Sequence, residues 1–169
     1  MTAGKVASRR FYRLYGRKLA RCIKLIVIRD QTSASDFAGE DVSNTLSSVA
    51  RQIPGGVAQE TLADFQANNK QSHRLSNSFN LKADYVLVSR EELAPLFRNG
   101  SDWTAFYAKY PGSQGAMTLS RVGFNPEKNQ ALVYVGNQRG GKSGAGHYFL
   151  LAKQGADWIV QHQVEVWLS

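Results

Sequence analysis

Four groups of residues have the types and spacing from which chemistry is built. Gly136-Asn-Gln-Arg-Gly-Gly141-Lys142-Ser143 satisfies G-x-x-x-x-G-K-[ST], the pattern in which backbone amides and a lysine cradle a nucleotide's phosphates. His147 and His162 supply two imidazoles near the end of the chain, suited to acid/base work or to a metal. Cys22, the single cysteine, lies among cations of the kind that favour a thiolate. Ser120-Arg121 stands just before a turn and would offer a cation to an anionic ligand.

Each chemistry has requirements beyond its residue types. The phosphate pattern needs a helix to begin at Lys142-Ser143, so that amides and dipole meet the phosphates. Here Gly144-Ala-Gly146 follows and then His147-Tyr-Phe-Leu-Leu151, which reads as a strand, with only 26 residues left after Ser143. The expectation is a glycine-rich hairpin connection over 136–146 that binds no nucleotide. For the histidines, a turn that pairs Phe149 with His162 would place His147 and His162 diagonally on one face, about 7–8 Å apart. A metal needs a third donor, and in that register Glu165 points to the opposite face. No metal site, no cofactor and no catalytic set is therefore assigned; packed or surface histidines are the default. With one cysteine there is no intrachain disulfide, and a core-facing position for Cys22 between a helix and a strand is the commoner role.

These residues have to be positioned by elements whose patterns can be read. Lys24 to Arg29 (KLIVIR) is a β-branched strand. Leu46, Val49, Ala50 and Ile53 mark a helix with Asp41, Ser43 or Asn44 as cap, stopped by Pro54-Gly55-Gly56, and Gln59 to Asn69 forms another. Tyr85 to Val88 is a buried strand; Ser89 and Glu92 form a capping box for the helix that follows, ended by Asn99-Gly100. Ser101 or Asp102 caps the next helix. In it Trp103, Phe106, Tyr107 and Tyr110 fall at i, i+3, i+4 and i+7, a core face first and a ligand surface second. A meander of four strands completes the chain, at Ala116–Phe124, Gln130–Val135, His147–Lys153 and from Trp158 onward. In the last of these, Trp158, Val160, His162, Val164, Val166 and Leu168 alternate onto one face.

Charge is unevenly placed. The chain of 169 residues carries a net +8. Residues 1–30 hold nine basic side chains and one acid, while the other 139 hold twelve of each, so the basicity belongs to the N-terminal segment. Ser8 to Arg21 has an amphipathic helical pattern through Phe11, Leu14, Tyr15 and Leu19. Nucleic acid or an anionic membrane would be met only through residues 1–30. No secretory signal pattern and no apolar run of bilayer-spanning length is present, which leaves the compartment open.

Trp103-x-x-Phe106-Tyr107-x-x-Tyr110-Pro111-Gly112-Ser113-x-Gly115, then Leu119-Ser-Arg-Val-Gly-Phe-Asn125, Gln130-Ala-Leu-Val-Tyr-Val135, Gly144-Ala-Gly146-x-Tyr148 and Trp167-Leu-Ser169 together resemble an uncharacterised bacterial family. The resemblance extends more weakly through Leu25–Thr32 and Asn80–Val88. It implies no activity. It implies, for many relatives, export or a lipid anchor, and a Cys-Gly-x-x-Cys-Gly loop between the middle strands. Here Arg139 and Ser143 stand near the cysteine positions, so a thiol role is absent and export is not carried over.

The resulting expectation is a basic segment 1–22 followed by one α+β domain over 23–169. Short helices would pack on a curved antiparallel β-meander, cystatin-like or NTF2-like by analogy. Its expected function is non-catalytic binding of a small molecule or protein, with Trp103, Tyr107, Arg121, His147 and His162 as candidate ligand-binding residues. The alternatives are a small hydrolase-like enzyme with a pocket near His147 and His162, and nucleic-acid or anionic-membrane binding through the basic segment.

Overall fold

The computed structural model describes residues 24–33, 40–97 and 103–169. The basic segment with Cys22, the Asn99-Gly100 stop and the Ser101 or Asp102 cap lie outside the described residues.

The two short apolar runs form β1 (Leu25–Arg29) and β2 (Asp84–Val88). Between them lie α1 (Glu40–Gln52) and α2 (Gln59–Asn68). The expected capping box forms: the Ser89 hydroxyl accepts from the Glu92 amide and the Glu92 carboxylate accepts from the Ser89 amide. It opens a single turn, α3 (Arg90–Leu93), continued by a 3-10 turn over Ala94–Phe97. After α4 (Thr104–Lys109) come β3 (Ser113–Leu119), β4 (Gly123–Phe124), β5 (Gln130–Gly140), β6 (Ser143–Gln154) and β7 (Asp157–Leu168).

All seven strands share one sheet, in the order β2-β1-β3-β5-β6-β7 with β4 paired to β5. The α+β class is as expected and most of the sheet is antiparallel. The purely antiparallel meander is corrected, because β1 runs parallel to both β2 and β3. The signal was present in Leu25-Ile-Val-Ile28 and Tyr85-Val-Leu-Val88: unbroken apolar runs are the pattern of parallel strands covered on both faces.

Three further expectations are revised. The strand expected over Ala116–Phe124 stops at Leu119. The Ser120 amide still donates to the Tyr134 carbonyl at 3.1 Å, but the Tyr134 amide is taken by the Ser120 hydroxyl at 2.8 Å and the Arg121 amide by the Asn69 side-chain oxygen at 2.8 Å, so side chains take over from the ladder here. The glycine-rich connection over 136–146 is instead the end of β5 and the start of β6, with Gly141-Lys142 alone as the turn; Ser143 opens a strand, not a helix. Helix α1 begins at Glu40, which places Asp41, Ser43 and Asn44 inside it rather than at its cap.

The last strand departs most. An extra residue, Gln161, sits between the pairs Leu151↔Val160 and Leu150↔His162, and a second, Val166, between His147↔Glu165 and Gly146↔Trp167. Each bulge reverses the faces of everything beyond it. The six residues expected on one face therefore divide. Trp158, Val160 and Leu168 lie on the outer face, whereas His162 and Val164 lie on the inner face, which the helices cover.

Two core clusters occupy that inner face. Leu46, Val49, Ile53 and Phe65 of the α1–α2 region pack on Leu132, Tyr134, Tyr148, Leu150 and Val164. Leu93, Phe106 and Tyr110 pack on Val27, Val88 and Ala116, with Phe97, Trp103 and Tyr107 against them. The aromatic stripe is thus a core face, as its spacing predicts. Burying a side chain such as Phe65 or Leu132 contributes about 1.5–3 kcal/mol. Helix α2 is also tied down at both ends. The Gln130 side-chain oxygen accepts from the Ala58 amide (2.8 Å) and the Thr61 hydroxyl (3.0 Å) at its start. At its end Asn69, fully buried, donates to the carbonyls of Phe65 (2.8 Å) and Arg121 (3.1 Å) while receiving the Arg121 amide. Replacing Asn69 by Ala strands the amide and carbonyl of Arg121, and urea denaturation should show a loss of about 1–3 kcal/mol; a loss under 0.5 kcal/mol would contradict the clamp.

Candidate functional site

Between the two core clusters the inner face of the sheet carries mainly small residues, with Gln138 beside them and the Tyr134 hydroxyl and Trp167 indole lying over the glycines. Ala116 and Thr118 on β3 and Gly136 on β5 carry small or no side chains, and Gly144 and Gly146 continue that strip on β6. Above this floor is a cleft of about 580 Å³, walled by Leu93, Phe97 and Trp103 on one side and by Tyr134, Tyr148, Val166 and Trp167 on the other, with Arg29 and Thr45 also bordering it. Its volume lies within the usual range for small-molecule sites.

Trp167 holds the shape. The bulge at Val166 turns Trp167 to the inner face opposite Gly146, and the indole lies against the β6 backbone. A Cβ at Gly146 would lie 2.0 Å from the indole Nε1, and one at Gly144 would come within 2.9 Å of the ring. The indole N–H donates to the Tyr134 hydroxyl at 2.7 Å, and the Tyr134 and Tyr148 rings meet at 5.3 Å between centroids. On the far wall Trp103 is braced by Phe97 and Phe106, each with its ring centroid 4.9 Å away. Both walls are rigid aromatic surfaces with polar edges.

Of the five residues proposed from sequence, only Trp103 borders the cleft. Tyr107 packs behind it, and its hydroxyl donates to the Arg139 carbonyl at 2.7 Å. Arg121 is exposed on the β3–β4 loop, with Nη1 3.5 Å from His73 Nδ1. The shared face for His147 and His162 is corrected: the extra residue Gln161 moves His162 opposite Leu150, on the inner face, while His147 is on the outer face. The same slip brings Glu165, expected on the far side, directly opposite His147, with Oε2 3.3 Å from Nε2. The two imidazoles are separated by the sheet, and the neighbours of His147 on its face include the apolar Val135 and Phe149. Among the described residues no three His, Cys, Asp or Glu side chains converge as a metal site, and no helix is long and apolar enough to cross a membrane.

Sequence reasoning missed Arg29, Thr118, Tyr134, Tyr148 and Trp167 as cleft residues. One signal was available: Gly-x-Gly inside a strand marks a place where another group approaches the backbone, and Trp167 is the residue that does so.

A scan against protein-family models finds no match, and neither the curated proteins nor the solved structures contain one. The resemblance noted in the sequence gains no support from these comparisons, and the functional reading rests on the cleft.

Partial burial raises the Tyr107 phenol above its ordinary value, with the Arg139 charge pulling the other way. A phenol that holds its proton more tightly when folded adds stability that is complete below its unfolded pKa, about 10. That contribution disappears as pH rises through the folded value. Between pH 8 and 11 the wild type should therefore lose stability more steeply than Tyr107→Phe in denaturant titrations. Parallel losses would remove Tyr107 from the alkaline response.

Proposed function

We propose that this protein is a non-catalytic binding module that holds a small amphipathic molecule in the cleft between the sheet and its helices. One observation carries the reading: the described part of the cleft floor is built mainly from small residues, while aromatic walls on both sides are held by packing and a hydrogen bond. A core built only for stability fills such a space, since an unfilled volume loses contact energy on every side. The layering resembles the plan of NTF2-like and cystatin-like domains, in which a sheet wraps a helix, and this comparison is one of architecture alone. The hydrolase-like alternative has lost the shared histidine pocket on which it was built.

Trp103 and Trp167 border the cleft and Trp158 does not; its ring lies on Phe124, 5.6 Å between centroids. In a Trp158→Phe background, indole emission therefore reports the cleft. Titration with the neutral probe N-phenyl-1-naphthylamine should give saturable, one-site quenching, and Thr118→Trp, which fills the floor, should weaken it at least tenfold. Unsaturable quenching, or the same affinity in Thr118→Trp, would count against the reading.

A second reading has its own support in the placement of charge. Residues 1–30 carry the whole net charge of the chain, which suits nucleic acid or anionic lipid. Binding of a single-stranded oligonucleotide, or of phosphatidylglycerol vesicles, should fall steeply between 50 and 200 mM salt and vanish when residues 1–22 are deleted. Binding that survives the deletion would refute it.

A further inference from the structure

Among the described residues, those bordering the cleft include one charged side chain, Arg29; the others are glycine, apolar, aromatic, hydroxyl or amide. Arg29 is the last residue of β1, on the same face as Val27, and it is exposed to solvent at the cleft border. The parallel ladder that pairs Val27 with Ala116 and Ile28 with Met117 runs on toward Arg29 and Thr118, and both of these border the cleft. The neighbouring acid does not neutralise it: Asp30 turns away from the strand, where its carboxylate meets Arg74 at 4.0 Å. Asp30 is also joined through its backbone to Val88 and Leu75.

We propose that the cleft selects an organic monoanion, a carboxylate on a flat apolar body, with Arg29 as its charge partner. This rests on the binding-module reading above. A guanidinium presents a planar fork matched to a carboxylate, and its field reaches further beside apolar walls such as Leu93, Phe97 and Trp103 than in open water. The flat body follows from the walls. Trp103 and Trp167 both border a floor of mainly small residues, which gives a planar group aromatic surface to pack against. The single positive charge argues for a single negative one. A phosphate dianion is ordinarily met by several cations or by a helix N-terminus, and the described residues of the cleft border offer one guanidinium.

The probes are 2-naphthoate and its neutral counterpart 2-naphthamide, titrated against the full chain by indole emission and by calorimetry. Wild type should bind naphthoate about tenfold more tightly than naphthamide, the effect expected of one charge-assisted pair. Arg29→Gln should abolish the difference by weakening naphthoate alone. Arg29→Glu, as an independent variant, should reverse the charge preference, so that 2-naphthylmethylammonium binds better than naphthoate. Equal affinities for naphthoate and naphthamide in wild type overturn the anion proposal and leave the binding module standing. So does unchanged naphthoate binding in Arg29→Gln with its circular dichroism intact. If neither compound binds and N-phenyl-1-naphthylamine also fails, both readings fall together.

Discussion

The indole of Trp167 lies flat on the backbone of β6, and much of the inner face is arranged so that it can. The contact needs a strand with no Cβ beneath the ring, which Gly144 and Gly146 provide. It needs the tryptophan to face inward, which the extra residue Val166 brings about by reversing the alternation of β7. It also needs an acceptor for the indole N–H in a setting where an unpaired donor is costly, and the Tyr134 hydroxyl supplies it. Once these conditions are met, the side chains that would otherwise fill the centre of the sheet are gone. The cleft follows from how one large side chain is seated.

Local patterns were well expressed in the sequence. The Ser89/Glu92 box, the breaks at Pro54-Gly55-Gly56 and Pro111-Gly112, and the core role of Phe106 and Tyr110 are short-range properties, and their spacing carries them directly. The strands of the meander were legible for the same reason, since alternation survives wherever one face is buried. What was not legible was pairing. β1 finds β2 across more than fifty residues and β3 across more than eighty, and nothing in either run names its partner.

The site was less legible than the fold because it hangs on bulges. Gln161 and Val166 carry no compositional mark, yet each changes the side of the sheet to which every later residue belongs. Without them His147 and His162 would share a face; with Gln161 inserted, His147 meets Glu165 instead and His162 joins the inner face near Leu150. The run Gly136 to Gly146 misled in a related way. Its glycines suggest a loop when read as a string, and a phosphate cradle when read as a motif. Only the opposing strand shows that Gly144 and Gly146 are there to admit an indole.

The cleft is also the seam between the two core clusters. Helices α1 and α2 are anchored on β5, β6 and β7, and α3 and α4 on β1, β2 and β3. Along the boundary the floor offers mainly small side chains, so the halves are joined there chiefly by the backbone ladder of β3 and β5. Interdigitated side chains transmit a displacement from layer to layer, and a strip of glycine, alanine and threonine does so poorly. On this inner face, then, the two halves communicate less through packed side chains than through the ladder and the few bonds that cross it, such as Tyr107 to the Arg139 carbonyl and Asn137 to the Gln114 carbonyl.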